Sequence, residues 1–230
     1  VRECAQSVQP EGTSIIDLTD GYEEVTTRYR QRAHRAIRKV HQNEIKIEEY
    51  ENDQNLFDQW YDLYKETAKR DGFSTRSKQY ISHLLHEPKV KNSSSLIVAT
   101  CKNMIVGGII TISTKDVSVY LLGASKRIQG ISPSYLLQDY SIKKSCENGC
   151  KVYDLHGIAG PGTKGSHLSN LTLFKQAFGG QSYFRPSSTD YINLRLLYWV
   201  YRMFENFRYT MNRKKGPKMN TQQYGTTQDN

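Results

Sequence analysis

Leu96-Ile-Val-Ala-Thr-Cys101, Ile105-Val-Gly-Gly-Ile-Ile-Thr-Ile112 and Val117-Ser-Val-Tyr-Leu-Leu122 are three β-rich runs, separated by little more than Lys102-Asn103 and Thr114-Lys-Asp116. Branched and aromatic side chains suit a pleated surface, and connectors this short leave no room for a crossover, so the runs form an antiparallel meander. Upstream, Asp53 to Asp71 spaces Leu56, Phe57, Trp60, Leu63, Tyr64 and Thr67 by threes and fours, which predicts an amphipathic helix ending at Gly72. Ser77 to His86 predicts a second helix, stopped before Pro88, and Ile45-Lys-Ile47 a short strand before both. Downstream, Ser134 to Asn148 reads as a helix closed by Gly149, followed by a strand at Lys151-Val-Tyr-Asp-Leu155. Thr172 to Phe178 predicts a short helix, then a Gly-Gly turn and a strand at Ser182-Tyr-Phe184. The fold class is therefore α/β in the α+β sense, a mixed sheet flanked by helices.

The flanks of this domain carry charge and an incomplete beginning. The 230 residues hold 32 Lys and Arg against 23 Asp and Glu, a formal charge of +9, which suits a polyanionic partner such as nucleic acid, a phosphorylated substrate or an anionic membrane surface. A solvated basic surface without function is the plainer alternative. Glu23 to Asn43 has helical character, and Arg28, Arg30, Arg32, Arg35, Arg38 and Lys39 fall within it without an acid among them; such a face repels itself unless phosphates lie against it. Thr13-Ser-Ile-Ile-Asp-Leu18 reads as a strand without earlier strands to pair with, and no initiator Met precedes it. The expectation is that residues 1–43 end a first domain whose earlier part is missing, residues 44–187 form a complete domain, and 188–212 contain a further helix, Tyr191 to Phe207. Residues 213–230 are expected to be a disordered basic and polar tail.

Cys4, Cys101, Cys146 and Cys150 are too scattered for a disulfide scaffold, and Cys146-x-x-x-Cys150 has no second pair to complete a zinc site. They read as reduced thiols of a cytoplasmic protein, with no metal expected. No apolar run approaches the length of a membrane span, and the first residues lack the order of a signal peptide.

The element order β-α-α-β-β-β-α-β-α-β is that of the GNAT-like N-acyltransferase fold. In that fold one strand splays from its neighbour, and the acyl donor enters the wedge. Arg127-Ile-Gln-Gly-Ile-Ser132, after a strand and before a helix, nearly matches the loop that cradles the pyrophosphate of coenzyme A there, although Ser132 replaces the last small residue and Pro133 follows. More specific strings follow. Tyr120-Leu-Leu-Gly-Ala-Ser125, Pro133-Ser-Tyr-Leu-Leu-Gln138, Gly149-Cys-Lys-Val-Tyr-Asp-Leu-His-Gly157 and Phe174-Lys-Gln-Ala-Phe-Gly-Gly180 resemble, in order and spacing, the FemABX family of tRNA-dependent peptidyltransferases that build the interpeptide bridge of peptidoglycan. Arg70-Asp-Gly-Phe73, Ile15-Ile-Asp-Leu18 and Arg35-Ala-Ile-Arg38-Lys39 extend the resemblance over about residues 13 to 190.

The resemblance implies two GNAT-like domains, the first of them partial here, with the C-terminal helix folding back on the first. It implies aminoacyl-tRNA as co-substrate in place of a cofactor, and a UDP-linked muropeptide or lipid-linked peptidoglycan precursor as acceptor. The step from Lys39 to Ile45 leaves no room for the helical hairpin that some members carry, so the shorter kind acting on a UDP-linked muropeptide is the better match in layout. A monomer, at the inner face of the membrane if the acceptor is lipid-linked, with a peripheral membrane contact, completes the expectation.

Candidate residues follow from the chemistry. Aminoacyl transfer from an ester to an amine passes through an anionic tetrahedral intermediate, which a fixed cation stabilises. Lys175, between Phe174 and Phe178 on a mostly apolar run, is suited to that role, and the family's F-K-x-x-F-G lysine is implicated in it; read without the resemblance, Lys175 would snorkel from an ordinary helix to solvent. Phe174 would lie near the tRNA acceptor end. Asp154 and His156 are candidates to take or relay a proton, although family members are thought to rely on the substrates for proton transfer; Asp154 would otherwise orient a peptide or hold the sheet edge. His156 stands where the family more often has an aromatic residue and is also a substrate-binding candidate. Arg70, Arg76 and Arg127 are candidates for the diphosphate of the precursor, and Tyr120 and Tyr135 for the acceptor groove or for plain core packing. Arg28, Arg32, Arg35, Arg38 and Lys39, with Lys214 and Lys215, would attract tRNA. Two other readings remain open: a GNAT enzyme using acyl-CoA or another acyl donor, and a non-catalytic domain that binds RNA or precursor.

Overall fold

The computed structural model of the chain describes residues 2–3, 10, 12–41, 43–87, 93–160, 168–186 and 188–215. Its elements are β1 (Arg2–Glu3), β2 (Gly12–Asp17), α1 (Gly21–Thr27), α2 (Gln31–His41), β3 (Ile45–Glu49), α3 (Gln54–Asp71), α4 (Lys78–His86), β4 (Ser94–Cys101), β5 (Met104–Ser113), β6 (Val117–Ser125), α5 (Pro133–Glu147), β7 (Val152–Ile158), α6 (Leu168–Lys175) with a 3-10 turn at Gln176–Phe178, β8 (Gln181–Phe184), β9 (Thr189–Asp190) and α7 (Arg195–Lys215). They fall into two compact units, Val8–Pro186, and Val1–Ser7 with Ser187–Asn230.

The larger unit is built on one sheet of order β3-β4-β5-β6-β7-β2-β8 among the described residues. The meander sits where the sequence puts it: β4, β5 and β6 pair antiparallel. Lys102 and Asn103 both take positive φ, the backbone of a two-residue hairpin turn. Helices reach both faces through a glycine pair in β5. A Cβ on Gly108 would stand 2.4 Å from Cδ1 of the fully buried Trp60 of α3, and one on Gly107 3.0 Å from Cδ1 of Leu137 of α5. The helix signals are also realised. Asp53 caps α3 by accepting from the N–H of Asn55 and Leu56, Gly72 ends it in the left-handed conformation, and the hydroxyl of Ser77 caps α4.

Residues 12–41 belong to the same compact unit as the elements that follow them. Strand β2 finds its partners later in the chain, antiparallel to β7 on one side and β8 on the other, which is why it has no upstream mate. The single helix expected over residues 23–43 is two helices. The chain breaks at Arg28–Arg30 because Tyr29 turns into the core against Phe178, its ring centroid 5.2 Å away, while the Arg30 N–H donates to the Ala177 carbonyl at 2.8 Å.

In the smaller unit β1 and β9 pair antiparallel, and Tyr198 of α7 donates to Asp190 at 2.9 Å. The helix starts at Arg195, later than the sequence suggested, and runs to Lys215 with Leu196, Leu197, Trp199 and Phe204 exposed. Cys4 and the tail from residue 216 lie outside the described residues, as do the side chains of Lys214 and Lys215. Cys101, Cys146 and Cys150 are free thiols. Among the described residues no helix is long and apolar enough to cross a membrane, and no cluster of His, Cys, Asp and Glu could hold a metal.

Candidate active site

The sheet forks where β6 meets β7. These parallel neighbours pair only from Val117 to Val119 against Val152 to Asp154; from Tyr120 onward β6 and from Leu155 onward β7 are no longer paired with each other. A bulge accounts for the parting. Opposite β2, Ile15 pairs with Asp154 and Thr13 with Gly157, so Ser14 alone faces two residues, Leu155 and His156. The extra residue adopts φ +59° at His156, and a bulged strand bends and twists away from its neighbour. Asp154 holds the bulge closed: one carboxylate oxygen accepts the His156 N–H at 2.7 Å and the Thr13 hydroxyl as well.

Lys175 lies in this fork. The residue is 4% exposed, and its ammonium donates to the Gly157 carbonyl at 2.7 Å on the β7 arm and lies 5.6 Å from the ring centroid of Tyr120 on the β6 arm. Burial pushes its pKa down from the ordinary 10.5 to about 8, with the Asp154 carboxylate pulling the other way. An ammonium there keeps its charge at neutral pH while standing in a weakly screened environment, the condition under which a cation acts most strongly on a developing anion. Burial likewise holds the Tyr120 phenol up at about 12. The His156 imidazole is held below the ordinary histidine range, first by burial and then by the Lys175 charge, so it is neutral at pH 7.

Lys175 does not snorkel to solvent, because α6 ends on the sheet. Thr172 accepts the Ala159 N–H at 2.8 Å, fixing the helix beside the end of β7, and Phe178 is fully buried one turn on. The Gly-Gly turn closes that packing: Gly179 takes φ +75°, and a Cβ there would meet the Arg28 carbonyl oxygen at 2.4 Å. Phe174 stands edge-on to Tyr135, centroids 4.9 Å apart, and to Phe178 at 5.5 Å.

Beside the fork is a cleft of about 630 Å³ lined by Arg32, Arg35, Arg38 and Lys39 of α2 and by Ile128, Gly130, Ile131 and Ser132 of the loop entering α5. Helix α2 turns Ala33 and Val40 into the core, which leaves its arginines outward. Across the cleft Gly130 has φ +75° and α5 begins at Pro133 with no side chain capping it, so the positive end of the helix dipole adds to four cationic side chains. Arg32 links cleft and fork, because its Nε donates to the Tyr135 hydroxyl at 2.9 Å and Tyr135 packs on Phe174.

The structure thus gathers Lys175, Phe174, Asp154, His156, Tyr120 and Tyr135 at one place and Arg32, Arg35, Arg38 and Lys39 at another next to it. Four other candidates lie elsewhere. The guanidinium of Arg28 donates to the Asp17 carbonyl at 2.7 Å. Arg70 spends its donors on the Ser125 carbonyl and both oxygens of Asp71, and Arg127 pairs with the same carboxylate at 3.3 Å. Arg76 is exposed in the segment after α3, its backbone carbonyl accepting from Tyr61. Thr13 was not identified from sequence. It lies 141 residues from Asp154, and only the strand pairing brings the two together.

Residues 27–165 match the Acetyltransferase (GNAT) domain family. No curated protein matches the sequence. Among solved structures, the crystal structure of FemX superposes with a TM-score of 0.72 at 18% identity, covering 86% of this chain and 66% of the FemX chain; the chain therefore spans a little under two thirds of that protein. L-PGS from Bacillus licheniformis superposes with a TM-score of 0.56 at 12% identity over 93% of this chain and 67% of that one. The C-terminal domain of a protein from Agrobacterium fabrum named as a lysylphosphatidylglycerol synthetase gives 0.58 at 12% identity over 78% and 60%. At these identities the likeness is one of fold. Matched by that family over more than half its length, this chain belongs to the Acetyltransferase (GNAT) domain family.

Proposed function

We propose that the chain is an aminoacyltransferase that moves an amino acid from aminoacyl-tRNA to the stem-peptide amine of a peptidoglycan precursor. The observation that carries the reading is Lys175, a buried ammonium at the open fork of the sheet. One of its three N–H bonds goes to Gly157, and the others would meet the oxyanion formed when the amine adds to the ester carbonyl. The basic cleft supports a polyphosphate donor: the backbone of a tRNA acceptor end would run along Arg32, Arg35, Arg38 and Lys39, with its terminal nucleotides against Phe174 and Tyr135. The likeness to FemX, joined to the strings shared with the FemABX family, favours a muropeptide acceptor. A protein of this kind would work in the cytoplasm, or at the inner membrane face if the acceptor is lipid-linked.

A second reading has one observation behind it. The loop Arg127–Ser132 with its uncapped helix would also suit the pyrophosphate of an acyl-CoA. Donor competition separates the two. The full-length protein is given either tRNA charged with a labelled amino acid or acyl-CoA, with a UDP-muropeptide as acceptor. Label on the muropeptide from the tRNA alone is the expected result; thiol release from acyl-CoA without any transfer from tRNA would replace the first reading by the second.

A further inference from the structure

Four groups could serve as a proton acceptor in the fork, and three are otherwise engaged. Lys175 must keep its proton to act as a cation. Tyr120, with its phenol pushed up to about 12, is a poor base near neutrality. Asp154 accepts the His156 N–H and the Thr13 hydroxyl on one carboxylate oxygen and so serves the bulge. His156 is the extra residue of that bulge, held in a left-handed backbone conformation that a non-glycine residue adopts only under strain. Strain of that kind persists where the surroundings over-determine it, and here it falls on the residue next in sequence to the carbonyl that anchors Lys175, near enough for the Lys175 charge to act on the imidazole. The charged groups acting on the ring are Lys175 from α6, Asp154 from its own strand and Arg185 just beyond β8. The two cations outweigh the single carboxylate, and with burial they keep the ring neutral and able to accept a proton.

We propose that His156 is the general base of the transfer, a step that rests on the aminoacyl-transfer reading. The acceptor nitrogen attacks the ester carbonyl carbon and a C–N bond forms. The proton shed by that nitrogen passes to the imidazole. The C–O bond to the ribose then breaks, and the imidazolium returns the proton to the departing ribose oxygen. Lys175 holds its proton throughout and faces the oxyanion, so the step needs no further reactant.

The test is chemical rescue. His156→Gly suits the left-handed backbone and leaves room where the ring stood. With full-length protein, charged tRNA and a UDP-muropeptide, this variant should lose about 100-fold or more in kcat/KM, and added imidazole should restore activity saturably, in proportion to its neutral fraction. As pH falls through the imidazole's folded pKa, which lies below the ordinary 6.5, the wild-type rate should steepen from a slope near one to a slope near two, because both acceptor amine and imidazole must then lose a proton, while the variant keeps a slope near one. His156→Asn, which tolerates the same backbone but is not a base, should show the same loss and guards against a folding defect in the glycine variant. Wild-type rates in either variant, or a loss that imidazole leaves untouched, would overturn the assignment and leave the aminoacyl-transfer reading standing. Failure of the wild type itself to transfer from tRNA would overturn both.

Discussion

A buried lysine such as Lys175, 4% exposed, weighs against folding at neutral pH. The unfolded chain keeps this proton up to about the ordinary pKa of 10.5 and the folded chain only to about 8. Between those values unfolding takes up a proton, so folding stability rises with pH across that window. The burial cost at pH 7 is on the order of 3 kcal/mol. Urea denaturation at pH 7.5 and pH 10 should therefore show the wild type gaining stability relative to Lys175→Met at the higher pH, while parallel changes in the two proteins would mean that the ammonium is not buried. A residue retained at that cost is more readily understood as a working group than as a structural one, since a methionine would fill the same space without the penalty. The motif around Lys175 was legible in the sequence as a cation among phenylalanines. Its burial was not, because a lysine on a helix snorkels unless the helix is pinned at both ends, and here Thr172 and Gly179 do the pinning.

Among elements, the bulge in β7 and the helix α2 carry separate consequences. Asp154 is the acceptor that closes the bulge, and its removal would strand the Thr13 hydroxyl and the His156 N–H. Asp154→Ala should cost about 3 kcal/mol of stability in denaturant titration, whereas Asp154→Asn, which keeps an acceptor oxygen, should cost about half as much or less; equal losses would show that the charge matters more than the hydrogen bonds. The cationic face of α2 predicts a binding effect with no stability effect, because Arg35 and Arg38 are exposed and line the cleft. Replacing both by Ala should weaken tRNA binding and lower the slope of log K against log salt by about 1.4, the value for two contacts to single-stranded phosphates. An unchanged slope would take the phosphates away from this cleft. The basic run was plain in the sequence. The interruption at Tyr29, which turns one expected helix into two, was not, because the pull comes from Phe178, whose nearness no local pattern announces.

Across the whole molecule, the legible parts are those written by near neighbours in sequence: the meander, the caps of α3 and α4 and the helix before Gly149. The strand β2 was recognised as a strand but its partners were not, since β7 and β8 lie some 140 and 170 residues further along the chain and pairing at such distance leaves no trace in a local reading. The fork shows the same division. Its residues were named from the chain, but the bulge that opens it depends on the register between β2 and β7. The measurement that bears most directly on the account is single-turnover transfer from charged tRNA to a UDP-muropeptide by full-length wild type and by Lys175→Met, with tRNA binding measured alongside. The account predicts a loss of transfer rate of about 100-fold or more, of the size found when one oxyanion donor is removed, with tRNA affinity within a few fold of the wild type. A variant that transfers at the wild-type rate, or one that loses tRNA binding in step with activity, would contradict it.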